Sequence, residues 1–131
     1  ELVKVLLQNQ LTEHTNIHWH GLVLPEKMDG HPEDLAMPGG SYNYQLPVLQ
    51  RAGTYWYHSH SGLQEQLGHY GALIIEHADR TGPAYDREHV VMLSDWTFEN
   101  PYRVLSRLKK QPDAYNYQRR TVVDFFRDVS R

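Results

Sequence analysis

The chain has 131 residues, a formal net charge of −3 at pH 7 and no cysteine. This length suits one domain, or one domain with part of another. The charge offers no basic patch for nucleic acid, no apolar run is long enough to span a bilayer, and the lack of cysteine excludes disulfides and thiolate zinc sites. The first residues are typical of a strand and not of a signal peptide.

Five short strands are predicted in the first 79 residues. Apolar or alternating runs place them at residues 2–7, 17–24, 41–48, 54–60 and 70–76. The first run is mostly apolar, so we expect that strand to be buried. Prolines and glycines predict a loop at residues 25–40, and residues 61–68 suit one helical turn. Regular short strands predict an all-β, Greek-key sandwich, which we expect to be incomplete at its N-terminus because residue 1 falls within a strand.

The pattern changes in the C-terminal part. Residues 80–88, with Gly82 and Pro83, predict a linker, and residues 89–96 predict one more strand. Asn100 and Pro101 are typical of a helix start, and the helix is expected to run to about residue 111. A second helix is predicted from Thr121, with an apolar stripe formed by Val122, Phe125, Phe126 and Val129. The predicted organisation is a first domain at 1–79, a linker at 80–88, and the start of a second domain, with a helical insertion, at 89–131.

Two histidine pairs, His18-Trp19-His20-Gly21 and His58-Ser59-His60, carry the strongest functional signal. In a strand, residues i and i+2 point to the same face, so each pair presents two imidazoles side by side. If the two strands are neighbours, four imidazoles converge without a carboxylate or a thiolate. Such a donor set suits several borderline metal ions; copper ranks high and zinc stays open.

A single His-x-His pair on a strand is weak evidence for a metal, since such histidines often only satisfy hydrogen bonds. Two matched pairs with aromatic flanks favour metal binding. The remaining histidines match no ligand motif and are interpreted as structural or exposed: His14, His31, His69, His77 and His89. The three methionines are too dispersed for a copper(I) site.

The two motifs, together with Met28-Asp29-Gly30, Gly62-Leu63-Gln64-Glu65-Gln66 and Leu93-Ser94-Asp95-Trp96, resemble the first cupredoxin domain of multicopper oxidases. The most similar subgroup is the bacterial copper-resistance type, and the resemblance covers nearly the whole chain. It departs from the family in the loop at 31–37, which is about three residues short. The family's C-terminal ligand motifs do not occur in this chain.

The resemblance implies a ligand set. In the family, a trinuclear copper cluster between the first and last domains reduces O2 to water, and the first domain supplies four of its histidines. By motif, His18 corresponds to a ligand of the type 2 copper, His20 and His58 to ligands of one type 3 copper, and His60 to a ligand of the other. The type 1 copper needs a cysteine and is therefore expected outside this chain.

Asp29 and Glu65 are the acidic candidates near these motifs. Taken alone, Met28-Asp29-Gly30 is as consistent with a simple turn as with a functional site. The resemblance places Asp29 beside the cluster, where an acid delivers protons and orients a ligand or water. Glu65 is a weaker candidate and is expected at the surface.

The implied activity is that of the whole family member: oxidation of cuprous ion or phenol-like substrates coupled to the four-electron reduction of O2, in copper resistance in the periplasm. This segment alone is expected to be inactive and to need the remaining cupredoxin domains of the same chain. Two alternatives stay open. One is a stand-alone copper- or zinc-binding module without turnover. The other, weaker one is a binuclear metallohydrolase, which normally includes bridging carboxylates.

Overall fold

The computed structural model describes residues 1–79 and 84–130. Its elements in chain order are β1 (Leu2–Gln8), β2 (His18–His20), β3 (Ser41–Pro47), β4 (Gly53–His58), β5 (Tyr70–Ile75), α1 (Pro101–Lys110) and α2 (Val122–Val129). The five strands confirm the number predicted for the N-terminal part. Two single 3₁₀ turns lie in the loops, at Glu26–Met28 and Glu65–Leu67.

The strands form two antiparallel sheets. β1 pairs with β3 along its whole length, and β4 is the central strand of the sheet β2-β4-β5. The chain changes sheet between β1 and β2, between β2 and β3, and again between β3 and β4. Such changes of sheet are how Greek-key sandwiches are connected, and they place β2 beside β4 although the loop 25–40 and β3 lie between them in sequence.

The core combines residues of both sheets, from β3 and from β2 with its flanking residues. Its buried residues are Ile17, Trp19, Leu22, Tyr44 and Leu46. The Trp19 ring packs edge-on against Tyr44, with 5.5 Å between centroids, and contacts Tyr57 at 5.8 Å. Since neighbouring strand residues point to opposite faces, burial of Trp19 directs His18 and His20 to the outer face.

Three details differ from the sequence predictions. β1 is not buried: Leu2 and Leu6 are each 55% exposed, because only the alternate residues of this strand face the core. β2 has three paired residues, whereas the sequence predicted a strand over residues 17–24. β4 ends at His58, so His60 lies beyond the ladder, in the turn that follows.

The chain divides into two compact units, Glu1–Trp96 and Thr97–Arg131. The predicted boundaries at 79 and 88 stay a prediction, and residues 80–83 of the predicted linker lie outside the described residues.

The strand predicted at 89–96 is wrong: this segment forms no ladder, and Val91 and Leu93 are largely exposed. Apolar β-branched residues favour a strand only where a partner edge completes their backbone hydrogen bonds.

Both predicted helices are confirmed in the second unit. The Asn100 side chain accepts a hydrogen bond from the Tyr102 N–H and caps α1, which has Pro101 at its first position. At α2, Thr121 and Asp124 form a reciprocal capping box. Within residues 1–79 and 84–130, no helix has the length and apolar character needed to cross a membrane.

Candidate metal centre

The strand register brings the two histidine pairs together. His18 lies directly opposite His58 in the β2–β4 ladder, and His20 lies opposite Trp56. The ring centroids of His18 and His58 are 5.3 Å apart, and the His60 ring stacks on His18 at 4.4 Å. All four sequence-predicted histidines therefore meet on the outer face of the sheet.

Three of the four rings are oriented by hydrogen bonds from Nδ1 to backbone carbonyls. His18 donates to Asp29 O at 2.7 Å, His58 to Ser59 O at 3.1 Å, and His60 to Gly30 O at 3.1 Å. A carbonyl oxygen can only accept, so each Nδ1 carries a proton, and the neutral form of each ring has its lone pair on Nε2. Fixing the tautomer in this way is what the outer hydrogen bonds of metal-binding histidines do.

His20 is presented differently. Its Nδ1 lies 3.3 Å from His58 Nε2. Two ligand nitrogens that each lie about 2.0 Å from one ion, at a tetrahedral angle, are separated by about 3.3 Å. Donor atoms of His18, His20 and His58 all lie within 4.8 Å of one another. The residues present therefore fit a metal ion, and an all-imidazole set suits copper or zinc.

A carboxylate stands at each of the two facing histidines. Asp29 Oδ1 is 3.2 Å from His18 Nδ1, but the Nδ1 proton points to the Asp29 carbonyl, and the buried Oδ1 has no hydrogen-bond partner among the described residues. Glu65 Oε2 is 2.9 Å from His58 Nδ1. The expectation that Glu65 is a surface residue is thus only partly met, because its carboxylate reaches a buried histidine while 37% of its side chain stays exposed.

The electrostatic setting keeps His60 neutral. Desolvation of the ring, and next the neighbouring His18, hold the pKa of His60 below its usual range, although the residue as a whole is exposed. A neutral imidazole has the lone pair that a metal ion requires. The ring of Trp56 stacks on His58 at 4.3 Å and on His20 at 4.9 Å, covering one side of the cluster.

Sequence reasoning missed three contributors to this site. Strand alternation could have found Trp56, since it lies two residues before His58 on the same face. Asn16 is fully buried, and its side chain contacts both loops that carry the outer hydrogen bonds. Gln64 is buried and accepts a hydrogen bond from Ser59, which stands between the second pair of histidines. No local pattern marks these two amides, because they bind segments distant in sequence: Gly30 is 14 residues from Asn16, and Thr15, a second partner of Gln64, is 49 residues from it.

Comparisons with known proteins agree with this geometry. A family model described as multicopper oxidase matches residues 1–80. The chain is 55% identical to copper resistance protein A of Escherichia coli over 133 residues, which is 99% of this chain and 22% of that protein. The chain therefore spans about a fifth of the length of that relative.

Solved structures give the same result for the fold. Lac15 from a marine microbial metagenome is 41% identical with a TM-score of 0.58, covering 66% of this chain and 23% of that one. The multicopper oxidase of Campylobacter jejuni, described as a metallo-oxidase, is 38% identical with a TM-score of 0.54, covering 58% and 17%. The all-β, cupredoxin-like fold is thereby confirmed, and the chain belongs to the multicopper oxidase family.

Proposed function

We propose that this chain contributes the first-domain half of a trinuclear copper site in an oxidase that couples oxidation of cuprous ion or phenol-like substrates to the four-electron reduction of O2. The observation that carries the proposal is the convergence of four imidazoles, three of them held by an Nδ1–H hydrogen bond that leaves Nε2 as the atom able to bind a metal ion. Copper supplies one-electron steps that together complete the reduction of dioxygen. Copper resistance is the biological role that the similarity to copper resistance protein A suggests.

The ligand roles follow the family motif. His20 and His58 are proposed for one type 3 copper, which is supported by the 3.3 Å between their donor atoms. His18 is proposed for the type 2 copper and His60 for the second type 3 copper. The His18 and His60 rings are stacked face to face, with 4.4 Å between centroids and 19° between their planes.

Asp29 is the proposed catalytic acid. Reduction of O2 to water consumes protons, and a carboxylate at the site can accept and release them. The buried Asp29 Oδ1 lies 3.2 Å from His18 Nδ1 and accepts no hydrogen bond from the described residues, so its lone pairs can take up a proton. Its backbone carbonyl simultaneously holds His18 in the tautomer that presents Nε2.

The position of the histidines on the outer face supports a site that is shared with another domain. His20 and His60 are exposed on the open face of the sheet, where a further domain can add ligands. We propose that the remaining cupredoxin domains of the same polypeptide supply them, together with the type 1 copper. The proposed location is the periplasm, in keeping with the subgroup. Nothing in the geometry favours the stand-alone module or the metallohydrolase.

The test is O2 consumption by the copper-loaded natural polypeptide that contains residues 1–131, with Cu(I) and with a simple phenol as reductants. Uptake of one O2 for four electrons, without release of peroxide, is expected. Loss of this uptake in His58→Ala, at unchanged folding, assigns the activity to this site. Copper-independent hydrolysis of phosphate esters, with no O2 uptake, would contradict the proposal.

A further inference from the structure

Asn16 is a completely buried amide that joins three separate segments of the first unit. It precedes β2, and its Nδ2 donates to Gly30 O at 2.9 Å and to His31 O at 3.2 Å. Its Oδ1 accepts from the His60 N–H at 3.0 Å and from Ser61 Oγ at 3.2 Å. Two donors and two acceptor positions are all the hydrogen-bonding capacity that a carboxamide has, so this side chain is fully satisfied.

These contacts hold His60 at two points. The backbone N–H of His60 donates directly to Asn16 Oδ1. The ring Nδ1 of His60 donates to the Gly30 carbonyl, and that carbonyl is held in turn by Asn16 Nδ2. Because β4 ends at His58, no strand ladder orients His60. Apart from its stacking on His18, the ring of His60 is therefore held by hydrogen bonds that lead to this one amide.

Gly30 fits the same arrangement. Its φ of +72° lies in the left-handed region, and an added Cβ would lie 2.2 Å from the Ile17 carbonyl oxygen. The loop backbone thus lies closer to Ile17, just before β2, than a side chain at position 30 would allow. This approach brings the Gly30 carbonyl within reach of both Asn16 and His60.

From these contacts we infer that Asn16 is a positioning residue that presents Nε2 of His60 to the proposed copper site. The inference rests on the proposed function for the identity of the metal, and on this structure for the geometry. Asn16 does not contact the reacting atoms itself. It fixes the Nδ1–H tautomer of His60, which lies beyond the end of β4 and is not held by the strand ladder.

The neighbouring hydrogen bonds indicate that this network is a rigid support for the site and not a path for protons. Gln64 Oε1 accepts from both Thr15 Oγ1, at 2.7 Å, and Ser59 Oγ, at 2.9 Å. A carbonyl oxygen that receives two donors cannot pass a proton onward, so the chain of hydrogen bonds ends there. Buried networks whose members are all satisfied make a structure rigid and unique.

Asn9 provides a matched control. It is also a buried asparagine in the same unit, with 3% exposure, and its side chain likewise makes three hydrogen bonds to backbone groups, at Glu13, Ala36 and Leu11. None of these partners is one of the proposed ligands. Removing either amide leaves backbone groups without their hydrogen-bond partner, so both variants should lose stability. Only the loss of Asn16 should alter His60.

The experiment compares the chain with Asn16→Ala, Asn16→Asp and Asn9→Ala. Long-range ¹H–¹⁵N spectra of the metal-free proteins report the tautomer of each histidine, and competition titration reports the affinity for Cu(II) alone. We expect His60 as the Nδ1–H tautomer in the unaltered chain and in Asn9→Ala. Both Asn16 variants should lose that tautomer and should bind Cu(II) about 10-fold more weakly. Asn16→Asp keeps the shape of the side chain and its acceptor oxygen. It therefore provides the test if Asn16→Ala does not fold.

The outcomes separate the two claims. An Nε2–H tautomer of His60 in the unaltered chain overturns the inference without any variant. The inference is likewise overturned if folded Asn16 variants keep both the Nδ1–H tautomer and the Cu(II) affinity. If the unaltered chain binds no Cu(II) while Asn16→Ala still changes the tautomer, the positioning role stands and the proposed function fails.

Discussion

His18 and His58 are cross-strand partners: they lie opposite each other in the β2–β4 ladder, with ring centroids 5.3 Å apart. Each ring is turned by a hydrogen bond from Nδ1 to a backbone carbonyl, and each has a carboxylate close to the same nitrogen. The two halves of the site are thus built alike, although one is supported from the loop at Asp29 and the other from the turn at Glu65.

Glu65→Ala should weaken Cu(II) binding about 10–100-fold, because the carboxylate 2.9 Å from His58 Nδ1 helps to orient this ring. Competition titration of the folded chain measures the change. Glu26→Ala is the control, since Glu26 also starts a 3₁₀ turn and makes no contact with the proposed ligands. Equal affinities for the two variants would show that Glu65 has no part in the site.

Gly30→Ala should lower the free energy of unfolding more than Gly39→Ala. Both glycines have φ near +70°, and a left-handed non-glycine residue costs about 1–3 kcal/mol. At Gly30 the new Cβ also meets the Ile17 backbone at 2.2 Å, whereas at Gly39 nothing lies within 4 Å. Urea unfolding of the two variants measures the difference. Similar losses of unfolding free energy in the two variants would mean that the loop at Gly30 can move away from Ile17 without cost.

The location of the histidine cluster was predictable from sequence, but its geometry was not. Alternation in a strand places His18 and His20 on one face whatever the partner is. That His18 lies opposite His58 depends on register, which is set by the packing of Trp19 and Tyr57 in the core. Asn16 and Glu65 reach the site through loops, whose paths have no periodic signal.

The same limit explains the error at residues 89–96. Val90, Val91 and Leu93 have the composition of a strand, but a strand also needs an edge with which to pair. The helices were predicted correctly because their signals are local: the caps at Asn100 and Thr121 act within three residues.

Tyr44→Phe should destabilise the chain at neutral pH and reduce its loss of stability in alkali. The buried Tyr44 hydroxyl accepts the Ile17 N–H at 2.9 Å, so its removal leaves that N–H unsatisfied, at a cost of about 1–3 kcal/mol. Burial raises the pKa of Tyr44 to about 12. The unfolded chain releases this proton near pH 10, so the contribution is complete below about pH 10 and is lost as pH rises towards about 12.

Urea unfolding at about pH 8 and about pH 11 measures both effects. The unaltered chain should lose more stability between these values than Tyr44→Phe does. An equal loss in the two proteins would show that Tyr44 ionises as readily in the folded state as in the unfolded state.

Helix α2 should fray in acid. Hydrogen bonds from the Thr121 hydroxyl and from its backbone N–H lower the pKa of Asp124. A depressed carboxyl pKa stabilises the helix above the unfolded pKa, and the effect is lost as pH falls through the folded value. Amide exchange at residues 122–125, followed from about pH 5 to about pH 2, measures the loss. Asp124→Asn should remove this pH dependence; if it persists, another group is responsible.

The central claim is that the four converging imidazoles hold copper, and Cu-edge X-ray absorption of the copper-loaded, dialysed chain tests it most directly. The account predicts bound copper with a first shell of imidazole nitrogens at about 2.0 Å and no sulfur, and its loss in the double variant His18→Ala, His58→Ala. Copper that remains with the same imidazole shell in that variant, or no retained copper in the unaltered chain, would contradict it.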